Sequence, residues 1–208
     1  DSSSWVISTQ KLLHKYSLPG ILEIIAENPT KQLWKKAVET AVHRYWKDQI
    51  EEEAENKSTL KFLNTEFTGK HHSIWEHTNN DPRDVRRANN KVRMLTGTYI
   101  VQTTRAAFNQ TKNTTCLMCK DGDEDMTHLL ITCTWSEDVR QPTLLKIIDT
   151  VPLVYHSHPS IWPPTLLTQL VLDPTHPKIQ ILLPLQSCVI AEIERLTRIL
   201  CYRIHTKR

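Results

Sequence analysis

Apolar residues in this chain recur every three or four positions and almost never alternate. That period is helical, and it predicts a mainly α protein. Trp34, Val38, Ala41, Val42 and Tyr45 form one stripe, on a helix predicted from about Lys31 to Asn56 with Thr30 as its N-cap. Val85, Ala88, Val92 and Leu95 form a second, which Gly97 ends. Val189, Ile193, Leu196, Leu200 and Ile204 form the strongest, with Glu194, Arg195 and Arg198 expected to point away from it. Shorter helices are predicted near the start, after Ser2–Ser4 and over 21–27, then over 99–108, over 137–150 with Leu144, Leu145 and Ile148 buried, and near 166–171. A short hairpin at the cysteines is the only strand-like expectation.

Breaks in this pattern suggest five regions. Residues 1–63 read as an N-terminal helical region. Residues 64–82 are polar, with His71, His72, His77, Asn79, Asn80 and Pro82, and read as a linker. Residues 83–150 carry basic helices and a cysteine module. Residues 151–177 hold Pro152, Pro159, Pro163, Pro164, Pro174 and Pro177 and read as a proline-punctuated connector. Residues 178–208 form a C-terminal helix. The expected fold is a helical bundle-like assembly with a small Cys-Cys-His-Cys zinc module inserted between helices.

Composition changes this picture little. The chain has 208 residues, 39% hydrophobic and 24% charged, which suits a globular protein with a real core. The net charge of +3 says less than where the charges lie. The longest apolar cluster, Ile179–Leu185, falls far short of the roughly 18 residues a membrane helix needs, so no membrane partner is expected. The opening DSSSWVISTQ lacks a signal-peptide run, and a start at Asp1 reads as a fragment or processed piece. Five cysteines, three of them clustered, argue for a reducing compartment, nucleus or cytoplasm, over a secreted disulfide framework.

The chemistry concentrates at Cys116, Cys119, His128 and Cys133, spaced C-x2-C-x8-H-x4-C. Three thiolates and an imidazole within so short a segment can close a tetrahedral Zn²⁺ shell without help from the rest of the fold. Four protein ligands leave no open position, so the expected site is structural. Asp123, Glu124 and Asp125 lie between the ligands as outer-shell or solvated charges. Just upstream, Arg83, Arg86, Arg87, Lys91, Arg93, Arg105 and Lys112 face the single acid Asp84. Arg83, Arg87 and Lys91 fall on one helix face at four-residue steps, which suits either contact with phosphates or a solvated face.

Other candidates carry less. His71, His72, His77, His156 and His158 read as surface histidines, and Cys188 and Cys201 as core or half-buried thiols. The run Glu51, Glu52, Glu53 and Glu55 opposes the helix dipole and reads as a solvated acidic face or a docking surface. No G-x-x-x-x-G-K-[ST], G-x-S-x-G or H-E-x-x-H occurs. Asp48 with Glu55 and Lys57 is the nearest approach to a nuclease site. The chain by itself is therefore expected not to be an enzyme.

The run Val92–Asn109 (VRMLTGTYIVQTTRAAFN), then Cys116–Cys119 (CLMC) and Glu124–Cys133 (EDMTHLLITC), resembles the region C-terminal to the polymerase domain in non-LTR (LINE-type) retrotransposon reverse transcriptases of animals. There a segment like R-x-L-T-G…R…F precedes C-x-x-C…E…H-L-L-x-x-C. Trp34–Val38 and Thr197–His205 are similar to the same proteins, so the likeness spans most of the chain. The resemblance implies zinc ligation by Cys116, Cys119, His128 and Cys133. It also implies binding of element RNA or target DNA beside the polymerase domain of the same polyprotein. Polymerase activity does not carry over, because the Tyr/Phe-x-Asp-Asp motif is absent. The eight-residue gap before His128 exceeds that of retroviral nucleocapsid knuckles. Phe108 is expected in the core, with stacking on a base as the alternative. A helical scaffold for the polymerase domain, without nucleic-acid contact, is the rival reading.

Overall fold

The computed structural model describes residues 4–67, 71–109, 113–151 and 162–208. Among them there is no strand, only one isolated antiparallel bridge between Thr115 and Asp123. The mainly α expectation holds. Two compact units divide the chain.

The first unit contains α1 (Trp5–Lys15), α2 (Ile21–Glu27), α3 (Lys31–Asn56) and the turn Thr65–Phe67. The Leu18-Pro19-Gly20 break follows α1, where Ser17 adopts a left-handed φ of 54° and Leu18 N–H reaches back to Leu13 O at 2.9 Å. Glu23 accepts from Gly20 N–H at 2.8 Å and fixes the start of α2. Thr30 caps α3 as expected, its Oγ1 accepting from Leu33 N–H at 3.4 Å. The apolar stripe of α3 is only half-buried, and Leu13 is the sole buried hydrophobe among the described residues of these three helices. Edge-to-face packing of Tyr16 on Tyr45, with centroids 5.1 Å apart, supplements this thin core.

The second unit begins at 57–64 and resumes at 71. It is built around α10 (Ser187–Lys207), along which α5 (Pro82–Leu95) and α7 (Glu137–Thr150) pack. The expected linker is corrected here. Ser73–Glu76 forms α4, Ile74 is fully buried, and Asn64 is buried too. Polar side chains disguise this segment, because its anchoring contacts are largely hydrogen bonds. The connector also hides core. After Trp162, α8 (Pro164–Leu172) buries Leu170, Val171 and Leu172, and Gln169 donates to Phe62 O at 2.9 Å. Proline at its first turn removes an N–H that would lack a partner anyway. Residues 152–161, with His156 and His158, lie outside the described residues. α9 (Pro177–Leu182) leads into α10.

Charge is buried where α5 meets α10. Lys91 Nζ lies 2.6 Å from Glu194 Oε2 and donates to Thr197 Oγ1 at 2.8 Å, and both charged side chains are fully buried. Ser73 donates to the other Glu194 oxygen at 2.8 Å. Beside them Arg198 reaches Asp84 at 3.2 Å and the His77 carbonyl at 2.7 Å. So Glu194 and Arg198 do not point away from the core, and of the three only Arg195 is exposed. Each buried charge meets an opposite one, which offsets the desolvation cost that would otherwise exclude it. The buried face of α5 accordingly runs through Asp84, Ala88, Lys91 and Leu95, while Val85 and Val92 are half-buried at its flanks. In α7, Ile147 is buried with Ile148, and Leu145 is exposed.

Gly97 ends α5 with φ of 67°. A Cβ there would overlap the side chain and carbonyl of Thr59, so both conformation and space demand glycine. α6 (Gln102–Asn109) follows and leads toward the cysteines.

Candidate metal centre

The four predicted ligands converge. One donor atom from each of Cys116, Cys119, His128 and Cys133 lies within 4.8 Å of every other. The local chain explains why. Lys120 and Gly122 take left-handed φ values of 58° and 68° and turn the chain back on itself. Cys116 N–H then donates to Gly122 O at 3.0 Å and Glu124 N–H to Thr114 O at 2.9 Å. The hairpin expectation is met in miniature, by the single Thr115–Asp123 bridge. The second pair of ligands sits on a π-turn, His128–Thr132, closed by Cys133 N–H on His128 O at 2.8 Å. Asp125 caps this turn by accepting from His128 N–H at 2.7 Å.

Spacing tests the fit. Bonds of about 2.3 Å at a tetrahedral angle put two sulfurs roughly 3.8 Å apart. Cys116 and Cys133 Sγ lie 3.9 Å apart, and Cys119 Sγ lies 3.2 Å from His128 Nε2. The set could hold one metal ion. Electrostatics favours one. Burial pushes the Cys133 thiol up to about 11, and the neighbouring Cys116 adds to that push. A cation at the centre reverses this, since it favours thiolate over thiol. Cys119 is affected oppositely. Burial raises it, but hydrogen bonds from the Asp121 backbone and the other cysteines outweigh that and leave it lowered.

Outer groups hold the ligands in place. Thr132 Oγ1 lies 3.4 Å from His128 Nδ1, on the side of the ring away from Cys119. Arg140 donates to Cys133 O at 2.8 Å and to Ser136 Oγ at 3.1 Å. Glu124 is fully buried and does the most. Its Oε2 accepts from Gln102 N–H at 3.2 Å, and its carbonyl accepts from Thr103 N–H at 3.2 Å. Arg208 reaches the same carboxylate at 3.2 Å. The start of α6 is thus tied to the loop between the ligands. Sequence reading flagged Glu124 as a charge among ligands but could not separate it from Asp123 and Asp125. Nothing in the sequence pointed to Arg140 or Arg208.

The basic residues divide. Arg83, Arg86 and Arg105 are exposed, and Arg87 is half-buried. Arg93 is exposed with its guanidinium 5.7 Å from the Tyr99 ring centre. Lys91 is corrected. It lies on the inward face of α5, neutralised by Glu194, and cannot reach a phosphate. Lys112 lies outside the described residues. Phe108 is also corrected, being 79% exposed rather than buried. Cys188 is exposed, while Cys201 is buried and pushed up to about 12 by burial. His72 is not a free surface histidine. Its Nδ1 accepts from Ile74 N–H at 3.2 Å and its Nε2 lies 3.4 Å from Asp173. Glu55, of the weak nuclease candidate, has a side chain outside the described set.

Fold and cluster together define a helical protein with a candidate four-ligand metal site. No protein-family model, curated protein or solved structure matches the chain. Among the described residues no helix is long and apolar enough to cross a membrane.

Proposed function

We propose that this chain is a zinc-stabilised, non-catalytic C-terminal part of a retrotransposon reverse transcriptase polyprotein. In this reading it binds element RNA or target DNA and works beside the polymerase domain in the nucleus or cytoplasm. One observation carries the proposal: from Val85 to Lys120 the chain has no acidic residue, and that basic run ends inside the Cys3His cluster. Zinc is the metal that three thiolates and an imidazole in a tetrahedral set favour. Bound there it supplies a structural cross-link. Cys116, Cys119, His128 and Cys133 hold it, Glu124 ties α6 to the loop, and Arg105 is carried on α6. Arg83, Arg86, Arg87, Arg93 and Arg105 engage phosphates, where charge neutralisation supplies the non-specific affinity. Lys91 is no part of this surface.

A salt titration tests it. Zinc-loaded protein binding labelled RNA and DNA should lose affinity steeply between 50 and 200 mM salt, as expected for several phosphate contacts. Replacing Arg83, Arg86, Arg87 and Arg105 with Ala should flatten that slope by roughly one unit per lost contact. Salt-independent binding, or none, would leave the helical scaffold as the reading. The exposed Trp5, Leu22 and Ile25 of the first unit favour that rival, since they offer apolar surface to a protein partner.

A further inference from the structure

Phe108 presents a problem of placement. It is the largest apolar side chain on α6, yet it is 79% exposed, while the helix buries Gln102 and Ala106. Burying a phenylalanine would gain about 1.5–3 kcal/mol, which this position forgoes. Arg105 lies three residues earlier, also exposed, so ring and guanidinium share one helix face. Two further exposed apolar side chains belong to the flanking segments. They are Ile100 before α6, 49% exposed, and Leu117 in the turn between the first two cysteines, 56% exposed. No acidic residue interrupts this stretch. Nor does α6 swing freely, because Glu124 fixes its first turn by side chain and backbone.

We infer that Phe108 and Arg105 form a base-stacking platform, and that the ligand is single-stranded rather than duplex nucleic acid. This rests on the nucleic-acid reading above and adds the strand state. Aromatic rings and guanidinium planes accept the face of a base, and an unpaired base offers that face without the cost of unstacking a duplex. A duplex hides base faces in its stack, so a phenyl ring reaches them only by prying a base step apart, and in the groove it meets little beyond a thymine methyl. The exposed ring therefore gains more from a single strand than from a duplex.

The test uses the full zinc-loaded chain and fluorescence anisotropy with labelled dT12, rU12 and a 12-base-pair DNA duplex. Wild type should bind the single strands more tightly than the duplex at equal salt. Phe108→Ala should weaken single-strand binding about tenfold and leave the duplex nearly unchanged, while Phe108→Trp should retain binding. The dT12 and rU12 arms separate DNA from RNA as the source. Unchanged single-strand affinity in Phe108→Ala, with wild-type binding intact, would overturn the platform and leave the function above standing. Equal weakening on single strand and duplex, with altered circular dichroism, would overturn it as a merely structural effect. No binding by wild type to any probe at low salt would overturn the nucleic-acid reading and this inference together.

Discussion

The two units obey different rules of construction. The first spreads a long helix and two short ones over almost no buried core and leaves Trp5, Leu22 and Leu33 largely in solvent. The second buries whole helical faces and then buries charges among them. The first unit depends on local rules: a cap at Thr30, a left-handed Ser17, a stacked tyrosine pair. The second depends on partners distant in sequence. A substitution should therefore be local in effect in the first unit and cooperative in the second.

The largest break in that contrast should come from the metal. Structural zinc contributes on the order of 10 kcal/mol to zinc-finger peptides. Cys119→Ser, or a strong chelator, should collapse the thermal transition of the second unit and spare the helical signal of α3. Mass spectrometry of native protein should show one zinc per chain, lost in the variant. A chelated protein with an unchanged melting curve would remove the metal from the account of stability.

Next comes the Lys91–Glu194 pair. Removing one partner strands the other as a buried, unpaired charge, at a cost of about 3–5 kcal/mol. Lys91→Met and Glu194→Met should each lower the urea midpoint strongly, and the double variant should recover much of the loss. A double variant no better than the worse single one would show the pair is not coupled as drawn. Lys91→Met should also leave nucleic-acid affinity of the folded protein unchanged, which sharpens its separation from the Arg face.

This pair also marks the limit of what the sequence told. The helices were legible because 3.6-residue periodicity survives in Val189, Ile193, Leu196, Leu200 and Ile204, all from one element. The metal site was legible because its ligands lie so close in sequence. Lys91, Glu194 and Arg198 were not, since a charged residue is read as solvated unless its partner is known, and the partners lie more than a hundred residues away. Ile74 is hidden for a related reason, since a lone Ile-Trp pair among histidines and asparagines makes no periodic pattern. Phe108 was misjudged by hydrophobicity alone.

The smallest expected effect lies at Asp173. Burial raises its carboxyl, but the hydrogen bond and charge of His72, with Thr175, overcome that and hold it below the usual range. A depressed folded value means the group stabilises the fold fully above its unfolded value, about pH 4. That contribution is lost as pH falls through the lowered folded value. Asp173→Asn should therefore weaken the fold modestly at neutral pH and flatten the acid limb of a stability profile. An unchanged acid limb would show that His72 does not hold the carboxylate charged.

The short reach of the metal loop bears on the order in which the molecule assembles. Cys116 and Cys133 are separated by 17 positions, Lys91 and Glu194 by 103. Loop closure grows with the logarithm of length, so the second closure costs roughly 1.5 kcal/mol more than the first. A refolding chain supplied with zinc should tie the small knot first and join α5 to α10 afterwards. In that order the start of α6 would rest on Glu124 before α5, α7 and α8 gather along α10.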